Sequence, residues 1–192
     1  MRAFIAVDIS DEIRKKIEDV QHEFRFLKSA RFVDAKQAHI TLKFLGEISA
    51  ADDIIHELSS ISVNPFKITF KGVGFFPEIP LDRLKERRGR VRVVWIGVDD
   101  SNGKALQALQ QDVDARMAKL GFAPEKDFSP HTTICRIKRS MSRDEIESFI
   151  KRIKSFENTN IGTMIVDSIK LKKSTLTQKG PIYDDIYVHK LS

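Results

Sequence analysis

His39-Ile40-Thr41-Leu42 and His131-Thr132-Thr133-Ile134 are one four-residue phrase written twice, and their spacing decides how the rest of the chain is read. Each phrase follows, at a similar distance, an apolar run closed by an acid: Phe4-Ile5-Ala6-Val7-Asp8 in the first case, Trp95-Ile96-Gly97-Val98-Asp99 in the second. The offset is 92 residues between the histidines and 91 between Phe4 and Trp95, so the register is kept within one residue. Two copies filling 192 residues predict an internally duplicated fold rather than a string of separate domains.

Outward from the phrases, the elements follow from periodicity. Residues 2–8 read as a strand, and Ser10 or Asp11 caps a helix over about 11–28. Ile13, Ile17, Val20, Phe24 and Leu27 recur at three- and four-residue spacing and mark its buried face. In the second half, 91–98 reads as a strand, and Asp100, Ser101 or Asn102 offers a cap. Leu106, Leu109, Val113, Met117 and Leu120 line the next helix, which Gly121 ends. Behind each phrase comes another helix and strand, about 50–61 and 66–76, then 142–154 and 160–175. Ser142 and Glu145 stand in capping-box spacing. The expectation is an α+β single domain of two pseudo-symmetric β-α-β-α-β lobes, with antiparallel-type sheets flanking a central cleft. Lobe 1 spans about 1–78, lobe 2 about 91–192, and a basic loop over about 79–90 connects them.

Side chains alternate along a strand, so His39, Thr41 and Lys43 share one face, as do His131, Thr133 and Cys135. Symmetry would bring these faces together, gathering two imidazoles and two hydroxyls. That set suits a phosphodiester. Its opening needs a base for the attacking water, an acid for the departing oxygen, and donors for the non-bridging oxygens. Imidazoles, with a pKa of about 6.5, serve as either acid or base near neutrality, and threonine hydroxyls serve as donors. One three-residue match has low specificity; the pair in matched register carries the argument. His22, His56 and His189 lack a repeated context and read as surface or core histidines.

Lys and Arg total 33 against 27 acids, a net charge of +6, which favours a polyanionic partner without demanding one. Arg87, Arg88 and Arg90 lie in the densest basic stretch, which is either a solvated loop or a phosphate-tracking flap. Phe128 could stack on a base or belong to the core, and Lys43 could add positive potential near the phosphate or sit at the rim. The single cysteine, Cys135, excludes an intramolecular disulfide and a cysteine cluster for zinc, and reads as a structural thiol. No carboxylate cluster is evident, so neither metal nor cofactor is expected. No run approaches the roughly 18 apolar residues of a membrane span, and the N-terminal apolar run is too short for a signal peptide. A cytoplasmic protein without a membrane partner is expected, and a monomer, because the duplication already supplies internal symmetry.

His39-Ile40-Thr41-Leu42-Lys43-Phe44-Leu45-Gly46-Glu47 and Phe128-Ser129-Pro130-His131-Thr132-Thr133-Ile134-Cys135-Arg136 resemble the two motifs of the 2H phosphoesterase superfamily. The likeness is to its RNA 2′,3′-cyclic phosphodiesterase branch, also called the 2′-5′ RNA ligase family. The opening Arg2-Ala3-Phe4-Ile5-Ala6-Val7 and the closing Gly180-Pro181-Ile182-Tyr183 agree with it too. The resemblance implies metal-independent hydrolysis of RNA-terminal 2′,3′-cyclic phosphate to a 2′-phosphomonoester. His131 would be the general base, His39 the general acid, and Thr41, Thr133 and Arg136 the phosphate-binding groups. Arg136 stands an odd number of residues from His131, which puts it on the opposite strand face unless a bulge or the strand end redirects it. The implied partner is RNA with a cyclic end, tRNA fragments or nucleotides among the candidates. Two alternatives stand beside hydrolysis: the reverse reaction, 2′-5′ ligation, and a non-catalytic nucleotide- or RNA-binding module.

Overall fold

A computed structural model describes residues 1–84, 86, 91–99, 104–178 and 180–192. The first half runs β1 (Arg2–Asp8), α1 (Asp11–Glu23), β2 (Ala30–Phe32), β3 (His39–Glu47), α2 (Asp52–Ser59), β4 (Phe66–Phe76) and a short α3 (Leu81–Leu84). The second runs β5 (Val93–Asp99), α4 (Ala105–Lys119), β6 (His131–Ile137), α5 (Arg143–Phe156), β7 (Asn160–Val166), β8 (Ser168–Thr177) and β9 (Gly180–Lys190). No helix among the described residues is long and apolar enough to cross a membrane.

Local signals placed most of these elements. The Ser10 hydroxyl accepts from the Ile13 amide at the start of α1, and Ile13, Ile17 and Val20 are buried as the spacing required. The helix stops at Glu23, short of the expected 28, because the Phe24 amide turns back to the carbonyls of Gln21 and His22. Phe24 and Leu27 stay buried beyond that tightened turn. Both arms of the Ser142–Glu145 capping box form, and Glu145 Oε1 also accepts from the Ser29 amide at 3.2 Å, tying α5 to the segment before β2. At α4 the residue before the helix is Lys104, left-handed with φ 56° and no side-chain cap bond. The expected caps, Asp100, Ser101 and Asn102, lie outside the described residues.

Two antiparallel sheets result, as expected, in the strand orders β3-β1-β8-β9 and β2-β6-β5-β4-β7. Setting β2 aside, β3-β1-β8-β9 maps onto β6-β5-β4-β7 strand for strand, which is the pseudo-two-fold symmetry of the sequence repeat. The sheets do not divide the chain at its middle, however. β4 of the first half lies in the sheet of the second phrase, and β8 and β9 return to the sheet of the first. The stretch 160–175, expected as one strand, is therefore two: β7 and β8 part at Asp167 and join different sheets. Helices cross over in the same way. α1 packs on β6 and β7, where Gln21 Nε2 donates to the carbonyls of Val33 and Ile134, while α4 packs on β3. Each half is small and has little interior of its own; exchanging strands and helices joins the two interiors into one contiguous apolar cluster. The contiguous lobes 1–78 and 91–192 are replaced by intertwined ones.

Candidate active site

β3 and β6 belong to different sheets, yet their Cα atoms come within 8 Å of each other. The strands that carry the two phrases thus meet at the seam between the sheets, where Arg136 of β6 acts on His39 of β3. Each opens with its histidine as the first residue of the strand.

Both strands bulge at the same point. Along β3 the pairing with β1 steps from Thr41↔Ala6 to Lys43↔Ile5, passing over Leu42. Along β6 the pairing with β5 steps from Thr133↔Trp95 to Cys135↔Val94, passing over Ile134. Two residues oppose one, so the inside–outside alternation inverts beyond each bulge. The first seven residues of both strands accordingly run half-buried, buried, half-buried, buried, buried, exposed, buried. His39 and Thr41 share the cleft face with Phe44; His131 and Thr133 share theirs with Arg136. The bulge thereby puts Arg136 on the histidine side, and its charge acts on both His39 and His131.

The same inversion overturns two expectations. Lys43 is not in the cleft: its side chain is 1% exposed, and Nζ lies 2.5 Å from Asp114 Oδ1 of α4 and also donates to the Ala123 carbonyl. Cys135 does not share the face of His131 either. It is fully buried, which pushes its thiol up to about 12 against the opposing pull of Arg25, as befits an inert structural thiol. Phe128 is partly buried and packed against the core. Arg87, Arg88 and Arg90 lie outside the described residues.

Each imidazole is held by the same device. His39 Nδ1 lies 2.8 Å from the Gln37 carbonyl and His131 Nδ1 lies 2.7 Å from the Ser129 carbonyl, two residues upstream in both cases. A carbonyl only accepts, so Nδ1 carries the hydrogen and Nε2 presents its lone pair. Burial is the main influence on both rings and lowers both pKa values. The carbonyl bonds oppose it, Arg136 reinforces it at both rings, and at His39 Lys172 also lowers while Asp8 raises. Both rings are therefore predominantly neutral at pH 7 in the free protein.

Sequence reasoning did not assign a role to several neighbours. Phe4 packs on His39 with ring centroids 4.8 Å apart, and Tyr183 meets the same imidazole edge-on at 5.0 Å. At His131 the equivalents are Trp95 at 6.0 Å and Phe76, edge-on, at 5.1 Å. Gly74 makes room for that indole, since a Cβ there would lie 2.3 Å from it. Beside His39, Asp8 and Asp185 bridge Lys170 and Lys172 in a closed square of four ion pairs, 2.6 to 2.9 Å each. The repeat itself was the available signal for the aromatics. Phe4 and Trp95 match in the sequence repeat but not in strand register: Trp95 lies opposite Thr133, whereas Ala6 lies opposite Thr41 and Phe4 lies opposite Phe44. Among the described residues no three His, Cys, Asp or Glu are grouped to hold a metal ion.

The profile of the 2′-5′ RNA ligase superfamily matches residues 9–174. An RNA 2′,3′-cyclic phosphodiesterase of Archaeoglobus fulgidus is 38% identical over 98% of this chain and 99% of its own. One of Methanothermobacter thermautotrophicus is 34% identical over 100% and 99%. Among solved structures, TT0787 of Thermus thermophilus superposes with a TM-score of 0.79 at 25% identity, covering 100% of this chain and 98% of that one. Escherichia coli LigT complexed with 3′-AMP shares the fold, with a TM-score of 0.74 at 23% identity and the same coverage. With the duplicated phrases at one seam and a profile matched over most of its length, the chain belongs to the 2′-5′ RNA ligase superfamily.

Proposed function

We infer that this protein hydrolyses the 2′,3′-cyclic phosphate at an RNA end to a 2′-phosphomonoester. The relatives of matching length named RNA 2′,3′-cyclic phosphodiesterase support the reaction. One observation supports the mechanism: two histidines, each opening a strand, each locked through Nδ1 to a carbonyl and each followed by the same bulge, on strands that meet.

The cyclic phosphate sits between the two Nε2 atoms. Thr41 and Thr133 hydroxyls and the Arg136 guanidinium hold its non-bridging oxygens as charge builds. Water attacks phosphorus opposite O3′. His131 Nε2 takes the water's proton, the P–O3′ bond breaks, and His39 Nε2–H delivers a proton to O3′, leaving a 2′-phosphate and a free 3′-hydroxyl. A neutral His131 is ready as base. His39 becomes the acid on binding, because the substrate's negative charge favours the imidazolium, and Asp8 pulls the same way. The flanking aromatic rings keep both imidazoles aimed into the cleft. Oligonucleotide ends such as tRNA fragments, or free nucleotides, meet the same groups, and a single chain suffices for the site.

The test is incubation of an oligoribonucleotide bearing a 2′,3′-cyclic end with the protein in EDTA, followed by product identification. A 2′-phosphate is expected; a 3′-phosphate would reverse the leaving oxygen. Tight RNA binding with no turnover at any pH would leave a binding module.

A further inference from the structure

β2 and β6 pair antiparallel with Arg31 directly opposite Arg136. Directly opposed residues in an antiparallel pair project from the same face, and like charges in that relation repel. Arg136 is on the cleft face, so Arg31 is too. A second contact shows the same direction: the Arg31 guanidinium lies against Gly180 at the start of β9, in the other sheet. A Cβ at Gly180 would come 2.7 Å from Nη2 and 3.1 Å from Cζ. The neighbouring Phe32 faces the opposite way, under the Arg25 guanidinium and opposite the buried Cys135. Neither Arg31 nor Arg136 pairs with a carboxylate among the described residues.

Two arginines opposed on one face of paired strands, neither ion-paired to a carboxylate among the described residues, suit an anion that bridges both. Arg136 already serves the cyclic phosphate. Arg31 stands on the neighbouring strand, about 4.8 Å across from β6. We propose that Arg31, acting with Arg136, binds the phosphodiester that precedes the terminal nucleotide, and so makes this enzyme prefer RNA chain ends over free nucleoside cyclic phosphates. The proposal rests on the cyclic-phosphate reading of the same cleft. Planar, forked guanidiniums suit a phosphate's paired oxygens, and a bound phosphate offsets the repulsion between the two like charges.

The test compares wild type with Arg31→Gln and Arg31→Lys. Binding of a pentaribonucleotide ending in 2′-phosphate is followed by fluorescence anisotropy over a KCl series, and adenosine 2′-monophosphate is measured by competition. Arg31→Gln is expected to weaken the oligonucleotide about tenfold and to lower the slope of log K against log [KCl] by about 0.7, the single-strand value for one lost phosphate contact. The mononucleotide should be unaffected, and Arg31→Lys should keep the slope. In turnover, kcat/KM should fall about tenfold on a cyclic-ended oligonucleotide and stay level on adenosine 2′,3′-cyclic phosphate. Arg31→Gln should melt no lower than wild type, since it relieves a like-charge contact. Equal losses on both substrates, no loss on either, or a lowered melting temperature would overturn the proposal. Absence of wild-type turnover on either substrate would overturn the proposed reaction alone, because the binding arm still decides Arg31.

Discussion

Replacing Lys43 by Met tests the bulge in β3. Lys43 Nζ is buried beneath the sheet, bonded to Asp114 Oδ1 at 2.5 Å and to the Ala123 carbonyl. Asp114 keeps other partners, accepting from the Glu125 amide at 3.2 and 3.1 Å, and its side chain is 15% exposed. Removing one member of a buried pair costs about 3–5 kcal/mol; the residual bonding of Asp114 puts Lys43→Met near the lower end, about 3 kcal/mol. In a chain of this length that lowers the melting temperature by about 9 °C. Lys43→Met with Asp114→Asn removes the orphaned charge and should recover about 2 kcal/mol of the loss. The assays are thermal and urea melts of both variants, with kcat/KM on cyclic-ended RNA below the transition, where activity should match wild type. A melt within about 2 °C of wild type, joined to a tenfold loss of activity, would place Lys43 in the cleft and refute the inversion.

Three further outcomes follow from the same geometry. Thr132 is fully buried and its hydroxyl has no partner among the described residues, so Thr132→Val should raise stability by about 1 kcal/mol in a urea melt. The His39 and His131 imidazoles titrate lower folded than unfolded, so the unfolded chain binds protons more readily between the folded value and about 6.5. Stability is then full above pH 6.5 and declines as pH falls through the folded values. Melts across pH 7 to 5 should show that decline, and a His39→Gln, His131→Gln double variant should flatten it. Lys172 lowers the His39 pKa, so Lys172→Met should move the His39 titration upward in an imidazole NMR experiment while leaving His131 in place.

The duplicated phrase and the periodicity around it were enough to place β1, β3, β4, β5 and β6, the pseudo-symmetry and the cleft, because a repeat in register is a long-range signal carried by local residues; β2 and β9 were not read as strands. Which sheet a strand joins is not local. The apolar positions Met164, Val166, Ile169 and Leu171 step by three across Asp167, which marks a break between β7 and β8 but does not tell which sheet receives each strand. The bulges were more nearly legible. Buried apolar positions run Ile40, Leu42, Leu45 in one strand, and Ile134 to Ile137 in the other steps by three where a continuous pleat steps by two. Phe44, exposed at 65%, masked that step in β3, and the chemical unlikeness of Lys43 and Cys135 hid their equivalence. The ion-pair square beside His39 drew on Asp8, Lys170, Lys172 and Asp185, residues from three strands with no motif to link them.

The central claim is that His39 and His131 act as one acid–base pair. Its most direct measurement is kcat/KM on a cyclic-ended oligoribonucleotide for His39→Ala, His131→Ala and the double variant, each verified as folded. Each single change is predicted to lower the rate by about 10²–10⁴, with the double variant well short of the product of the two, since the histidines work in one transition state. Retention of activity within about tenfold of wild type by either single variant would contradict the two-histidine mechanism.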